Sequence, residues 1–295
     1  MRLKQHIAAV AILAAAWAIG ATRARAQDQV MMPDQSAAKA KQLIQQAIDA
    51  LGGPAYLNVR DVTCSGRLSM FGHSGELNGF GTFIDYAQPP LKDRQENLPK
   101  RNLIEVYNGD KGWVLDRGGV SEAAESDIAH FEEGNKTDLD NIFRHRLNEK
   151  GMIFRYVGTD VVDLKEAEWI ELVDNENRTI RIAFATATHL PLRKIVETRD
   201  PSSQLKSEEI EYYSLYHPID GVQTPFQITR ERNGLKVFQV FFDKCEYNTN
   251  IPDSLFTKES LDDRWAKIGK KEKNKHQKSA TNDKDDKTDK DNQNN

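Results

Sequence analysis

The sequence lacks the short motifs by which many enzymes and metalloproteins are recognised. It holds no H-E-x-x-H zinc motif, no G-x-S-x-G nucleophile motif and no phosphate-binding loop, and its seven histidines show no metal-ligand spacing. Acidic pairs such as Glu208-Glu209 are adjacent, so on a strand their side chains point to opposite faces. No catalytic residue, metal ligand or cofactor site follows from these patterns, and we expect a protein that is not an enzyme.

An excess of basic residues is missing as well. The formal net charge is −4, and residues 27–266 hold 28 Lys and Arg against 39 Asp and Glu, a net of −11. A domain of that charge is repelled by nucleic acid and by anionic lipid surfaces. We therefore expect no nucleic-acid partner.

Only one long apolar run occurs, over residues 7–21. It follows Arg2 and Lys4 and precedes the sequence ARA at 24–26, which has the pattern of a cleavage site. A membrane-spanning helix needs about 20 apolar residues, so residues 1–26 are predicted to be a signal peptide and not an anchor. We expect the mature chain to begin near Gln27 and to reach the periplasm.

The other end of the chain has almost no apolar residues. Residues 267–295 hold nine lysines and six acidic residues but a single large aliphatic residue, Ile268. Such a segment cannot bury enough surface to offset the entropy of ordering it. We predict a disordered, solubilising tail, with weak contact to a membrane or the wall as the alternative. Residues 27–266 then form the folded domain.

Cysteine is scarce, with only Cys64 and Cys245 in the chain. An exported protein meets an oxidising compartment, where two cysteines can form a disulfide. They are far apart in sequence, and sequence does not give their distance in space. Two separately buried thiols therefore remain the alternative to a bridge.

Strand patterns fill most of what remains. Val62, Cys64, Leu68 and Met70 alternate with polar residues, as in a strand with one buried face. About eleven or twelve such segments follow one another, joined by short turns such as Asn108–Lys111. Consecutive strands with short turns predict a mainly β protein built as an antiparallel meander.

Two helical segments interrupt the strands. The first is predicted to begin at a Ser36 cap and to end at Gly52-Gly53, with its apolar stripe at Ala40, Leu43, Ile44, Ala47, Ile48 and Leu51. The second lies within 121–149, where Thr137 is predicted to cap a helix whose stripe is Leu139, Ile142, Phe143 and Leu147. These helices can cover the apolar face of the sheet. A sheet of this size curls, so it encloses a hollow wherever the helices do not fill it.

Three stretches carry a family pattern. They are "AIDALGGPAYLNVRDVTCSGRL", "YHPIDGVQTPFQITRERNGLKVFQVFFDKCEYN" and "NIPDSLF". Together they resemble the LolA-like superfamily of periplasmic lipoprotein and lipid carriers, which includes LppX-type lipid-binding proteins and RseB-type sensors. The resemblance spans roughly residues 36–256. It implies a curved antiparallel half-barrel whose concave face is covered by an N-terminal helix and a central helical insertion over a hydrophobic hollow.

The pattern and the resemblance together predict a non-enzymatic periplasmic carrier for an apolar ligand, such as a lipid or a lipoprotein acyl chain. The residues expected to contact the ligand are the apolar-face residues Leu68, Met70, Phe80, Ile84, Ile104 and Val106. The aromatic side chains either line this hollow or fill a plain core. The alternatives are an envelope sensor or protein-interaction domain of the RseB-like type and, less favoured, a hydrolase. The expected partners are the apolar ligand and an envelope membrane protein, with the chain a monomer.

The tail gives a direct test. Deleting Lys267–Asn295 should leave the melting temperature nearly unchanged, because the segment has almost no apolar surface to bury. Differential scanning calorimetry of the full and truncated chains measures this. A drop of several degrees would show that the tail docks on the folded domain.

Overall fold

A single thirteen-stranded antiparallel sheet dominates the fold. The computed structural model describes residues 31–98, 103–199 and 206–268. The strands are β1 (Val62–Phe71), β2 (Leu77–Gln88), β3 (Lys92–Leu98), β4 (Leu103–Asn108), β5 (Lys111–Asp116), β6 (Gly119–Glu122), β7 (Ile153–Val162), β8 (Lys165–Val173), β9 (Thr179–Ala185), β10 (Pro191–Arg199), β11 (Lys206–Ile219), β12 (Val222–Arg232) and β13 (Leu235–Tyr247). The predicted signal peptide at 1–26 lies outside the described residues.

The helical elements are few and short. They are α1 (Pro33–Leu51), α2 (Pro54–Leu57), α3 (Glu125–Thr137), α4 (Leu139–Asn141) with a π-helical turn after it (Ile142–Arg146), a 3-10 turn (Asp253–Phe256) and α5 over 258–268. In the part of the chain that the structure describes, none of these helices combines the length and the apolar composition that crossing a membrane requires. Of the predicted tail, residues 267 and 268 belong to α5, and the rest lies outside the described residues.

Strands that neighbour each other in the sheet are also neighbours in sequence, except at one joint, where β1 pairs with β13. The strand order is β6-β5-β4-β3-β2-β1-β13-β12-β11-β10-β9-β8-β7, so the first and last strands pair in the middle of the sheet. Cys64 and Cys245 lie directly opposite each other in this pair and form a disulfide, with 4.2 Å between their Cα atoms. The question that the sequence left open is settled in favour of the bridge.

The predicted curved half-barrel is confirmed, since the sheet is open and mainly antiparallel. It has two more elements than the patterns indicated. β3 reads KDRQENL and has a single apolar residue, so no alternation marks it; it forms because β2 and β4 pair with it on both sides. β6 is only four residues long and takes up Ser121 and Glu122, which the sequence had placed in the helical insertion.

Helix α1 buries all six residues of its predicted apolar stripe. The predicted cap at Ser36 is wrong, because the helix begins at Pro33, whose fixed φ suits the first helical position. The Ser36 hydroxyl instead accepts a hydrogen bond of 2.8 Å from the Tyr156 backbone N–H, which ties α1 to β7. At its end, Gly52 has a φ of 130°, and a Cβ there would lie 2.2 Å from the Gly221 carbonyl oxygen. Glycine is required at this point because helix and sheet touch backbone to backbone.

The segment from Glu125 to Leu147, called the strap below, connects β6 to β7. Asp138, and not the predicted Thr137, is the cap of α4, since its carboxylate accepts a hydrogen bond from the Asn141 N–H at 2.9 Å. The predicted stripe is confirmed: Leu139, Ile142 and Phe143 are buried and Leu147 is packed against them.

Ion pairs fasten the strap to the turn between β8 and β9. The buried Asp174 carboxylate accepts hydrogen bonds from Arg178 at 2.7 Å and from Arg146 of the π-helical turn at 3.3 Å. Arg178 also binds Glu133 of α3. Because these charges are largely enclosed, removing one partner would leave a buried charge without compensation.

The two faces of the sheet carry different cores. Residues directly opposite each other share a face, and one continuous row of such pairs runs through Ile170, Ile182, Lys194, Glu211, Arg230, Phe238 and Met70. Helix α1 packs on this side, which we call the inner face. On the outer face, the 3-10 turn and α5 cover a smaller core through Phe256 and Leu261.

The disulfide should contribute strongly to stability because it closes a loop with a sequence separation of 181. Replacing both Cys64 and Cys245 by serine is expected to lower the free energy of unfolding by about 4–5 kcal/mol, less any strain. Urea unfolding of the wild-type chain and the double variant measures the difference. Adding dithiothreitol to the double variant is the control and should change nothing. Superimposable curves for wild type and variant, or two titratable thiols in unreduced wild type, would contradict the assignment.

Candidate functional site

A cavity of about 360 Å³ lies on the inner face, between the sheet and the strap. Asp93 of β3 and Glu211 of β11 both line it, together with Asp138 of the strap. Five strand spacings separate β3 from β11, or roughly 24 Å in a flat sheet. The sheet must therefore curve strongly for these side chains to border one space, and the strap crosses the resulting hollow.

One wall of the cavity is apolar and lies over the joint of the sheet. It comes from β1, β2, β12 and β13 and consists of Leu68, Phe83, Ile228, Phe238, Val240 and Phe242. The register explains the grouping, because Leu68 lies opposite Val240, which in turn lies opposite Ile228. The rings of Phe83 and Phe242 meet edge to face with centroids 5.9 Å apart, a favourable geometry for two aromatic rings.

A second part of the cavity lining is acidic. Asp85 of β2, Asp93 of β3 and Asp138 of the strap border the cavity beside Gln95. Asp85 lies opposite Gln95, and Asp93 is two residues before Gln95 on the same strand, so both carboxylates are on the inner face. Within the described residues, neither carboxylate has an ion pair or a side-chain hydrogen bond. Both residues are half-buried, and no cation of the described residues balances their charge.

Burial dominates the titration of this acidic wall. It raises the pKa of Asp85 to about 7. It also raises the pKa of Asp93 well above its ordinary value, and the negative charges of Asp85, Glu105 and Asp138 raise it further. For Asp138, burial and the charge of Asp140 raise the pKa to about 6, while the Lys194 ammonium and the Asn141 N–H oppose the rise. The wall therefore holds protons or attracts cations near neutral pH.

A paired cluster forms the far side of the cavity and contrasts with this wall. The Glu211 carboxylate binds the Lys194 ammonium at 2.6 Å and the Arg230 Nε at 2.8 Å. Burial alone would raise the pKa of Glu211, but the two cations outweigh it and hold that pKa well below its usual range. The Lys194 ammonium also donates to the Thr137 carbonyl oxygen at 2.7 Å. This cluster is neutralised internally and holds the strap on the sheet.

A smaller lobe of about 100 Å³ adjoins the main cavity, with Asp138, Tyr213 and Ile228 bordering both. Arg144 of the π-helical turn lies in it, with its guanidinium 4.3 Å from the centre of the Tyr56 ring and 3.2 Å from the Asp140 carboxylate. This cation is already paired, so it offers an incoming anion little net charge.

The structure does not bring the six predicted ligand residues to one face. Leu68 lines the cavity, and Met70 lies on the same inner face opposite Phe238. The other four, Phe80, Ile84, Ile104 and Val106, lie on the outer face. The assumption of a common face is wrong, because strands paired in register alternate their faces together: Ile84 lies opposite Ser65, which is out of phase with Leu68.

These four residues have other surroundings. Ile104 and Val106 are fully buried under the 3-10 turn and α5 in the outer core, whereas Phe80 is 78% exposed. Phe83, Phe238 and Phe242 are among the aromatic residues for which the sequence left open whether they line the hollow or fill a core, and they line the cavity. Val240 and the acidic residues of the cavity were not predicted. The one available signal was Asp85, which shares its parity along β2 with the apolar Phe83 and is therefore a carboxylate on a covered face.

Comparison with known proteins shows the fold. No protein-family model matches the chain, and no curated protein matches its sequence. A DUF1329 family protein from Desulfovibrio piger matches with a TM-score of 0.55 at 15% identity, over 75% of this chain and 98% of that one. A domain assigned to outer membrane lipoprotein sorting, from Vibrio parahaemolyticus, matches with a TM-score of 0.50 at 11% identity, over 77% and 99%. A LolA superfamily protein from Nitrosomonas europaea has a TM-score of 0.47 at 15% identity, over 75% and 99%.

The raised pKa of Asp85 predicts that replacing its carboxyl makes the fold more stable, by an amount that grows with pH. A carboxyl whose pKa rises from about 3.9 in the unfolded chain to about 7 on folding stabilises the fold at low pH, and this contribution is lost as the pH rises through 7. Asp85→Asn should therefore become more stable relative to wild type between pH 5 and pH 8, by roughly 2–3 kcal/mol. Urea unfolding at both pH values measures this.

Asp110→Asn, in the exposed turn between β4 and β5, is the control for this experiment. Its difference from wild type should not vary over the same pH range. A constant difference between wild type and Asp85→Asn would show that Asp85 keeps its ordinary titration in the folded protein.

Proposed function

Starting from a chain with the LolA-like fold, we propose that it is an exported binding or carrier protein that holds the apolar part of its ligand in the inner-face cavity. The observation that carries the proposal is an apolar wall of six side chains that line the cavity. The cavity volume of about 360 Å³ is within the range of about 300–1,000 Å³ that is usual for small-molecule sites. The ligand class is a lipid or a lipoprotein acyl chain.

The compartment we propose is the periplasm. The basic, apolar and small-residue order of residues 1–26 supports export. The disulfide between Cys64 and Cys245 supports it independently, because such bonds persist in oxidising compartments and are rare in the cytosol. An envelope membrane protein is the natural donor or acceptor of the ligand, and we propose that the carrier itself is monomeric and has no catalytic role.

An interaction domain that regulates envelope processes is the second candidate. The observation that favours it is a pair of exposed apolar side chains in β2, Leu77 at 58% and Phe80 at 78% exposure. Contiguous patches of exposed apolar side chains mark protein contacts. The two candidates differ in whether the cavity is occupied.

Two substitutions of the same chemistry on opposite faces test the carrier function. Leu68→Asp places a charge in the apolar wall and should weaken the binding of a fluorescent acyl probe at least tenfold, because a ligand cannot solvate a carboxylate buried beside it. Phe80→Asp, on the outer face, should bind the probe as wild type does. Circular dichroism confirms that both variants are folded.

Native mass spectrometry of the protein purified from the periplasm gives the second readout and should show co-purified lipid. A wild-type chain that carries no lipid and binds no probe would overturn the carrier function. Equal probe binding by wild type and Leu68→Asp would move the ligand away from the cavity.

A further inference from the structure

We propose that the cavity selects a ligand whose apolar part carries a positively charged amine, and that the amine lies against Asp85 and Asp93. This inference rests on the proposed function and names the class of its ligand. It is carried by the division of one cavity into an apolar wall and a carboxylate wall. A ligand that matches both walls is a cationic amphiphile.

The two carboxylates differ from the buried, paired acids described above. Glu211 is balanced by Lys194 and Arg230, and Asp174 by Arg146 and Arg178. Asp85 and Asp93 are half-buried, and in the described ranges no Lys, Arg or His lies within ion-pair distance of either carboxylate. A carboxylate that lines a partly apolar cavity is stabilised by a cation beside it. Here the position of the missing cation coincides with open space in which a ligand fits.

The chemistry of the wall discriminates between head groups. A ligand phosphate or carboxylate placed there would be repelled by two like charges and by Asp138 across the cavity. A neutral head group would leave both carboxylates unpaired. An alkylammonium supplies the positive charge and N–H donors, and its chain covers Phe83, Phe238 and Val240 of the apolar wall.

An inorganic cation fits the arrangement less well. Among residues 31–98, 103–199 and 206–268, no group of three or more His, Cys, Asp or Glu side chains is placed to hold a metal ion. A bare ion would also leave the apolar wall uncovered. Both features favour an organic cation that brings its own hydrocarbon.

Displacement of a neutral apolar dye tests the selectivity. The intact protein is loaded with N-phenyl-1-naphthylamine at pH 7.5 and titrated with decylammonium, decanol and decanoate, which share a ten-carbon chain. Decylammonium should displace the dye at a concentration at least tenfold lower than decanol, and decanoate should be the weakest. A metal arm with magnesium and calcium chloride should displace no dye and should not compete with decylammonium.

Replacing the two aspartates by isosteric asparagine tests whether their charge binds the amine. Asp85→Asn with Asp93→Asn should bring decylammonium to within about twofold of decanol, with both ligands measured by dye displacement on the same variant. Glu105→Gln is the matched control: Glu105 lies on the same face, opposite Gln95, but does not line the cavity, and the preference should persist. Each single amide variant should lose part of the preference, which keeps the test decisive if the double variant folds poorly.

The outcomes separate this inference from the proposed function. If decylammonium and decanol displace the dye equally well from wild type, the cavity binds apolar ligands but the amine selectivity is wrong. If the double variant keeps the preference, the carboxylates do not receive the amine and the inference is overturned. If the dye does not bind wild type at all, the proposed function fails first.

Discussion

The pairing of β1 with β13 is the contact on which the rest of the structure depends. Each half of the chain is a meander whose strands need only short turns, but the halves become one sheet only where these two strands meet. The Cys64–Cys245 disulfide lies within this pair, where it keeps the two halves in register. Without this pairing, β1–β6 and β7–β13 would be two separate sheets with exposed edges, which are prone to mispairing.

The same joint supplies the apolar wall of the proposed binding cavity. The apolar wall of the cavity comes from β1 and β13 and from the strands next to them, whereas the acidic wall comes from β2, β3 and the strap. Sheet curvature brings these groups to one space, and the Lys194–Glu211–Arg230 cluster holds the strap over it. Stability and ligand binding therefore draw on one set of strands.

Sequence patterns were informative where the signal is local. The stripe of α1 was read correctly residue by residue, because a 3.6-residue period identifies the buried side of a helix. The strand β3 was not, because KDRQENL owes its conformation to its neighbours. Four of the six predicted ligand residues were placed on the wrong face of the sheet for a related reason. Alternation shows that Leu68 and Ile84 each lie on one side of a strand, but only the register between strands shows that they lie on opposite sides of the sheet.

The strap connects β6 to β7, and these two strands are the open edges of the sheet. The strap therefore crosses the open side of the half-barrel, and its length limits how far the two edges of the sheet can move apart. Unwinding one turn of α3 would lengthen the strap by roughly 7 Å, which is the difference between the helical and the extended rise over about 3.6 residues. A wider ligand of the proposed kind would then be admitted to the cavity, while β1 and β13 stay paired.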